Sequence, residues 1–305
     1  MKRKNKVIAI CGPTASGKTS LAIEIAKYLN SEIISADSRQ IYKRFDIATA
    51  KPSVEERQGI NHHMVDIVEP VEEFTVADFA DKASKIIDNI AINNKIPVVA
   101  GGTGLYFRIL LENFDLPRVE PDKEYRQKLE NIADEEGVAK LYSILEYADN
   151  ELAKKIHPNN TVKIIRALEV CHKLNMPMSQ AQGKKDPIYD VLWIGLNNEN
   201  REDLYERINL RVDKMIEQGL EQEAEKLYKE YKDLPLLRAT IGYQEFIEFF
   251  NNKLSRTEAI DKIKQNSRHY AKRQLTWFRQ NHNINWFNSC NTDAKEIKHL
   301  INNFM

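Results

Sequence analysis

The chain has 305 residues, 42% of them hydrophobic, with 45 Lys and Arg against 45 Asp and Glu. That length and apolar content fit one large folded core or a core with a smaller lobe, and the balanced charge excludes a global cationic field, so any nucleic-acid site must come from local clustering. Cys11, Cys171 and Cys290 are widely spaced and odd in number, which excludes a disulfide framework or zinc knuckle and points to a reducing cytoplasm; no apolar run approaches the ~20 residues of a membrane helix, so no membrane association is expected.

In chain order, KVIAIC (6–11) is a short β-branched run ending at a glycine, and TSLAIEIAKYL after it carries Leu21, Ala22, Ile25 and Leu29 at helical spacing. EIISAD (32–37) predicts a second strand, TVAD (75–78) opens a helix with a capping-box pattern, and IPVVAGGTG (96–104) predicts a strand closed by glycines. Strands alternating with helices imply a parallel sheet. From about Pro117 to Pro187 charged, helix-favouring segments succeed one another without a strand, then VLWIGL (191–196) resumes the sheet and the remainder reads as mostly helical. The expected fold is therefore α/β: a P-loop-type parallel sheet flanked by helices over 1–116 and 189–305, with an inserted all-helical lobe over 117–188.

Gly12, Pro13, Thr14, Ala15, Ser16, Gly17, Lys18 and Thr19 match the G-x-x-x-x-G-K-[ST] phosphate loop, set between a strand and a helix as its mechanism requires. The glycines let successive N–H groups turn inward, the helix N-terminus adds its positive end, Lys18 supplies a point charge, and the Thr19 hydroxyl suits Mg²⁺. A second acidic element of the kind that serves nucleotide hydrolysis is missing, since VVAGG ends in glycine. That shifts weight from an ATP motor toward a phosphate-bearing small substrate.

Asp37 falls at the carboxyl end of the second strand, the edge where open α/β sheets build their sites. It suits a general base or a metal-shell ligand, or alternatively, with Ser38, a helix N-cap. Gln40 offers both an acceptor and donors to a base edge. The segment KIKQNSRHYAKRQLTWFR (262–279) has six Lys and Arg and no acid, interleaved with Tyr270, Trp277 and Phe278. Lys264, Arg268, Lys272 and Arg279 share a helical stripe suited to phosphates and stacked bases, or to a solvated face over an aromatic core. Arg207 and Arg211 lie at i and i+4 on one helix face, open to a phosphate or to a surface ion pair. His62, His63 and Asp66 do not form a metal site, because adjacent histidines point differently; Tyr106 and Phe107 read as core.

GPTASGKT, SADSRQIYKRFDIATAKP, GGTGLYFRIL, RALEV and AKRQLTWFR occur in an order that resembles the tRNA dimethylallyltransferases, over about residues 8–280. The resemblance implies transfer of a dimethylallyl group from dimethylallyl diphosphate to the exocyclic 6-amino group of the adenine immediately 3′ of the anticodon, with release of pyrophosphate. It implies that Gly12 to Thr19 hold the diphosphate, that Asp37 is the general base, and that Lys18, Thr103 and Arg211 serve the reacting centre, Arg211 being preferred to Arg207. For the tRNA anticodon stem-loop it implies contacts from Asp37, Ser38, Arg39, Gln40, Thr103, Arg126, Lys163 and Arg166, to which the basic segment adds Arg268, Lys272 and Arg273. The family's Q-R-x-x-R-A-L-E-V reads Val162-Lys163-Ile164-Ile165-Arg166-Ala-Leu-Glu-Val here, so position 162 loses its hydrogen bonding and Lys163 lacks a bidentate fork. Mg²⁺ is the expected cofactor, and no stable protein partner is implied. A transferase acting on free adenine nucleotides, a P-loop small-molecule kinase and a non-catalytic nucleic-acid module are the competing readings; the lobe, the later motifs and the intact GKT with Asp37 disfavour them in turn.

Overall fold

The computed structural model describes residues 4–232, 234–291 and 294–305. They fall into two compact units, one of Met1–Leu111 with Ile188–Met305 and the other of Glu112–Pro187. The first begins with β1 (Asn5–Cys11), α1 (Lys18–Tyr28), β2 (Ile33–Ala36), β3 (His62–His63), α2 (Val76–Ile92), β4 (Val98–Gly101) and α3 (Gly104–Leu111). The second holds β5 (Phe114–Asp115), α4 (Lys123–Glu135), α5 (Val138–Ala148), α6 (Asn150–Ala153), α7 (Thr161–Leu174), α8 (Met178–Ala181) and β6 (Gly183–Lys184). The chain then returns to the first unit with β7 (Tyr189–Asn197), α9 (Arg201–Glu217), α10 (Leu220–Glu230), α11 (Pro235–Arg238), α12 (Tyr243–Phe250), α13 (Arg256–Phe278), β8 (Ile284–Asn288) and α14 (Ala294–Phe304).

The first unit's sheet runs β3-β2-β4-β1-β7-β8 with parallel pairing throughout. Val7 to Cys11 of β1 are all buried, because a parallel strand is covered on both faces. Alternation divides them: Val7, Ala9 and Cys11 pack in the core with Phe79, Ile87, Tyr106 and Phe107, while Ile8 and Ile10 join Leu21, Ile25, Ile297 and Ile301. Tyr106 stacks on Phe79 with ring centroids 3.8 Å apart, so the core reading of Tyr106-Phe107 holds. The Thr75 hydroxyl accepts from the Asp78 amide and the Asp78 carboxylate accepts from the Thr75 amide, the reciprocal cap expected at the start of α2.

Two expectations need correction. β8 is a strand, not singled out beforehand, inside the stretch read as mostly helical; it pairs with β7 through Trp193 and Ile284 onward, and as an edge strand it exposes Asn285 and Trp286, so no apolar run announces it. The second unit is not wholly helical either, since Phe114 pairs with Lys184 and Asp115 with Gly183 in an antiparallel ribbon. Its helices close over Leu129, Leu141, Leu145, Ile164 and Leu168. Within it the Glu169 carboxylate, 0% exposed, accepts from Arg126 Nε at 2.6 Å, Arg126 Nη2 at 2.8 Å and the Asp122 amide at 2.7 Å, and also from Arg166. The arginines and the amide hold its carboxyl below the usual range against the opposing effect of burial.

Candidate active site

The loops after β1, β2 and β4 all leave the carboxyl edge of the sheet, and chain direction switches there, since β2 and β7 lie on opposite sides of β1. Such switch points are where open α/β sheets form their crevices. In the first loop Gly12 has φ 146° and Gly17 φ 84°, and a Cβ at Gly12 would stand 2.3 Å from the Leu196 carbonyl oxygen. Ala15 also takes a left-handed conformation, φ 61°, uncommon for a residue with a side chain. No side chain caps the first turn of α1, which leaves its N–H groups open to an anion.

Lys18 Nζ donates to the Pro13 carbonyl. Burial, and then the nearby Arg211 guanidinium, push the Lys18 ammonium down to about 7, with Asp37 and Cys11 pulling the other way. Burial also lowers Arg211 against the pull of Asp37, yet a guanidinium stays charged. The Cys11 thiol is pushed up to about 12 by burial and remains protonated. A cavity of about 460 Å³ joins these groups: Thr14, Lys18, Thr19, Asp37 and Arg211 line it, together with Ser38, Arg39, Gln40, Tyr270 and Arg273. Ile208, Val212, Met215, Leu220 and Ile263 give it an apolar wall. Arg207 instead approaches the outside of the loop, its Nη2 3.7 Å from where a Gly17 Cβ would be, and its Nη1 reaches Ser289 Oγ at 3.5 Å.

Asp37 Oδ1 accepts from the amides of Arg39 at 2.9 Å and Gln40 at 3.4 Å. The carboxylate is therefore a cap, but it caps a turn over residues 38–41 and not a helix, and only one oxygen is engaged in this way. Thr103 Oγ1 accepts from the Ser38 amide at 3.0 Å, tying the β4 loop to the β2 loop. Tyr270, its phenol pushed up to about 12 by burial and by Asp37, meets the Thr103 side chain and stays neutral. Gln40 Nε2 donates to the carbonyls of Thr49 at 3.2 Å and Ala50 at 3.3 Å while its Oε1 accepts from Ser35, so its amide holds backbone.

Of the α13 cations, Lys264 pairs with Asp213 at 2.6 Å and Arg268 donates to Asn209 at 2.7 Å, whereas Lys272 and Arg273 are exposed. The latter two line an outer groove with His269, Thr276, Trp277 and Gln280. Phe278 is buried and Trp277 packs partly against the same core. In the other unit Arg126 and Arg166 meet on Glu169, and Lys163 is exposed in the first turn of α7. His63 Nε2 lies 2.7 Å from Glu32, and no cluster of metal-binding side chains occurs among the described residues.

Sequence reasoning missed two positioning groups. Glu223 of α10 accepts from the amides of Asp46, Ile47 and Ala48 at 2.9–3.2 Å and from Tyr243 at 2.7 Å, fixing the loop whose Ala48, Thr49 and Ala50 form cavity wall. Gln274, 6% exposed, bridges Thr14 and Gly102. Nothing in its run of basic neighbours marks it out. For a magnesium ion the donors fit: the Thr19 hydroxyl lines the cavity, and Ser16 Oγ is buried without a hydrogen-bond partner among the described residues, both hard oxygens beside a phosphate loop.

The IPP transferase family model matches residues 40–281. The chain is 47% identical to a tRNA dimethylallyltransferase of Halothermothrix orenii over 98% of its own length and 93% of the relative's. It is 46% identical to one from Caldanaerobacter subterraneus subsp. tengcongensis over 92% and 91%. Among solved structures it resembles a full-length tRNA isopentenylpyrophosphate transferase from Bacillus halodurans, with 42% identity, TM-score 0.72 and coverage of 99% and 95%. A eukaryotic dimethylallyltransferase acting on tRNA gives 30% identity and TM-score 0.80, with 98% of this chain and 79% of that one covered.

Proposed function

The chain belongs to the IPP transferase family and is a tRNA-modifying prenyltransferase; from that premise we propose that its cavity takes dimethylallyl diphosphate as donor and the 6-amino group of the adenine 3′ of the anticodon as acceptor. The observation that carries this reading is that one cavity is lined both by the cationic and hydroxyl-bearing Lys18, Thr19 and Arg211 and by the apolar Val212, Met215 and Leu220, with Asp37 also in the lining. A diphosphate needs the first and a short prenyl chain the second. No helix among the described residues is long and apolar enough to cross a membrane, and the free thiols of Cys11, Cys171 and Cys290 support a cytoplasmic setting.

In the reaction the amine nitrogen forms a bond to the prenyl C1 as the C1–O bond to diphosphate breaks. The amine proton passes to Asp37, and pyrophosphate leaves with the electron pair. Lys18 and Arg211 neutralise the charge gathering on the leaving oxygens, a contribution of about 3–4 kcal/mol per well-placed group. Thr19 would hold Mg²⁺, which supplies further neutralisation of the leaving group when bound. The adenine must leave the loop stack to reach the cavity, which calls for a grip on the RNA backbone.

The decisive assay incubates the protein with labelled dimethylallyl diphosphate, unmodified tRNA, free AMP and ATP. Label is expected on tRNA; label on AMP alone, or phosphate transfer from ATP, would overturn the reading. The exposed cations of α13 give a second expectation. Lys272→Glu with Arg273→Glu weakens tRNA binding and lowers the slope of log affinity against log salt by about 1–2. An unchanged slope would remove this helix from the RNA surface.

A further inference from the structure

Gln274 joins two loops that the sequence places far from it and from each other. Its Oε1 accepts from the Thr14 amide of the phosphate loop at 2.8 Å, and its Nε2 donates to the Gly102 carbonyl at 3.0 Å. The approach is close: a Cβ on Gly102 would lie 2.1 Å from Nε2, so any side chain there would push the Gln274 amide aside. The residue after Gly102 is Thr103, whose hydroxyl holds the Ser38 amide next to Asp37. One side chain thus sets the phosphate loop against the loop that steadies the proposed base. A neutral amide suits the task because it donates and accepts at once, which neither a carboxylate nor an ammonium can do. Its sequence neighbours Lys272 and Arg273 are exposed on the same helix, so the rigid helix carries both an outer cationic face and the inner bridge.

We infer that Gln274 is a positioning residue that couples the two substrates: RNA held on the outer face of α13 fixes the helix, and Gln274 passes that constraint to the phosphate loop. The inference rests on the function proposed above. Coupling between sites is reciprocal and measurable as a ratio of affinities. The experiment is calorimetric titration of inorganic pyrophosphate with Mg²⁺, with and without a saturating unmodified anticodon stem-loop, on wild type, Gln274→Met and Gln274→Glu. In the wild type the RNA is expected to tighten pyrophosphate about tenfold. Gln274→Met, close in shape but without the amide, is expected to bring that ratio near one while its affinity for RNA alone stays within about twofold. Gln274→Glu keeps an acceptor for Thr14 and loses the donor to Gly102, and the ratio is expected to fall there too, which keeps the test open if the Met variant does not fold. A side chain that only packed would lower the melting temperature and leave the ratio intact; that result, or a wild-type ratio of one, overturns the inference. Failure of the wild type to bind either pyrophosphate or the stem-loop overturns instead the functional reading beneath it.

Discussion

Asp37→Asn lowers single-turnover prenyl transfer by about 10²–10⁴-fold, the usual worth of a general base, while tRNA affinity stays nearly unchanged. The asparagine oxygen still accepts from the Arg39 and Gln40 amides, so the turn that Asp37 caps is preserved and the proton acceptor alone is lost. Asp37→Ala removes both. Its additional loss of stability over Asn measures the cap, about 1 kcal/mol. Rapid-quench measurement with enzyme in excess separates this chemical step from product release. A transfer rate in Asp37→Asn equal to wild type would take the proton elsewhere.

The second large effect belongs to Lys18. With its ammonium pushed down to about 7 by burial and by Arg211, Lys18 of the unliganded site loses its positive charge as pH rises through about 7, while Arg211 keeps its own. Donor binding needs the charged form, so affinity for dimethylallyl diphosphate is flat below that point and falls up to about tenfold per pH unit above it. Lys18→Arg, whose charge does not titrate in this range, serves as the control for ionisation of the ligand itself and flattens the profile. Lys18→Met costs about 10²–10³-fold in kcat/KM for the donor. The sign also reaches folding. Between the lowered value near 7 and the ordinary 10.5 the unfolded chain binds the extra proton, so the Lys18 contribution makes the unliganded fold more stable as pH climbs through that window. A donor affinity independent of pH from 6 to 9 in the wild type would contradict the buried, titrating lysine.

How much of this was legible in the sequence depends on how local the cause is. The phosphate loop was legible because its chemistry lies within eight consecutive residues between a strand and a helix, and the Thr75–Asp78 cap because it spans four. Asp37 was legible as an acid at a strand end, with a capping role among the alternatives. Gln274 was not, because its burial and both its partners come from loops 260 and 172 positions away. Glu223 is similar: a glutamate on a helix rich in glutamates, singled out by three amides of a distant loop and by the Tyr243 hydroxyl. Arg126 and Arg166 were visible as cations, but that they share one buried carboxylate comes from the packing of α4 on α7. β8 escaped because an edge strand with exposed positions carries no period-two apolar signal strong enough to see.

Lys18 and Arg211 stand desolvated side by side before any guest arrives, and this has a bearing on how the catalytic cycle ends. Two cations stripped of water recover their lost hydration from any diphosphate, and the pyrophosphate left behind carries more negative charge than the ester that entered. In the proposed reaction, the attraction that draws the donor in and eases the bond apart therefore also resists the departure of what remains. Each round closes against that grip, so a site tuned to let the prenyl group go has, in the same stroke, been tuned to keep the rest.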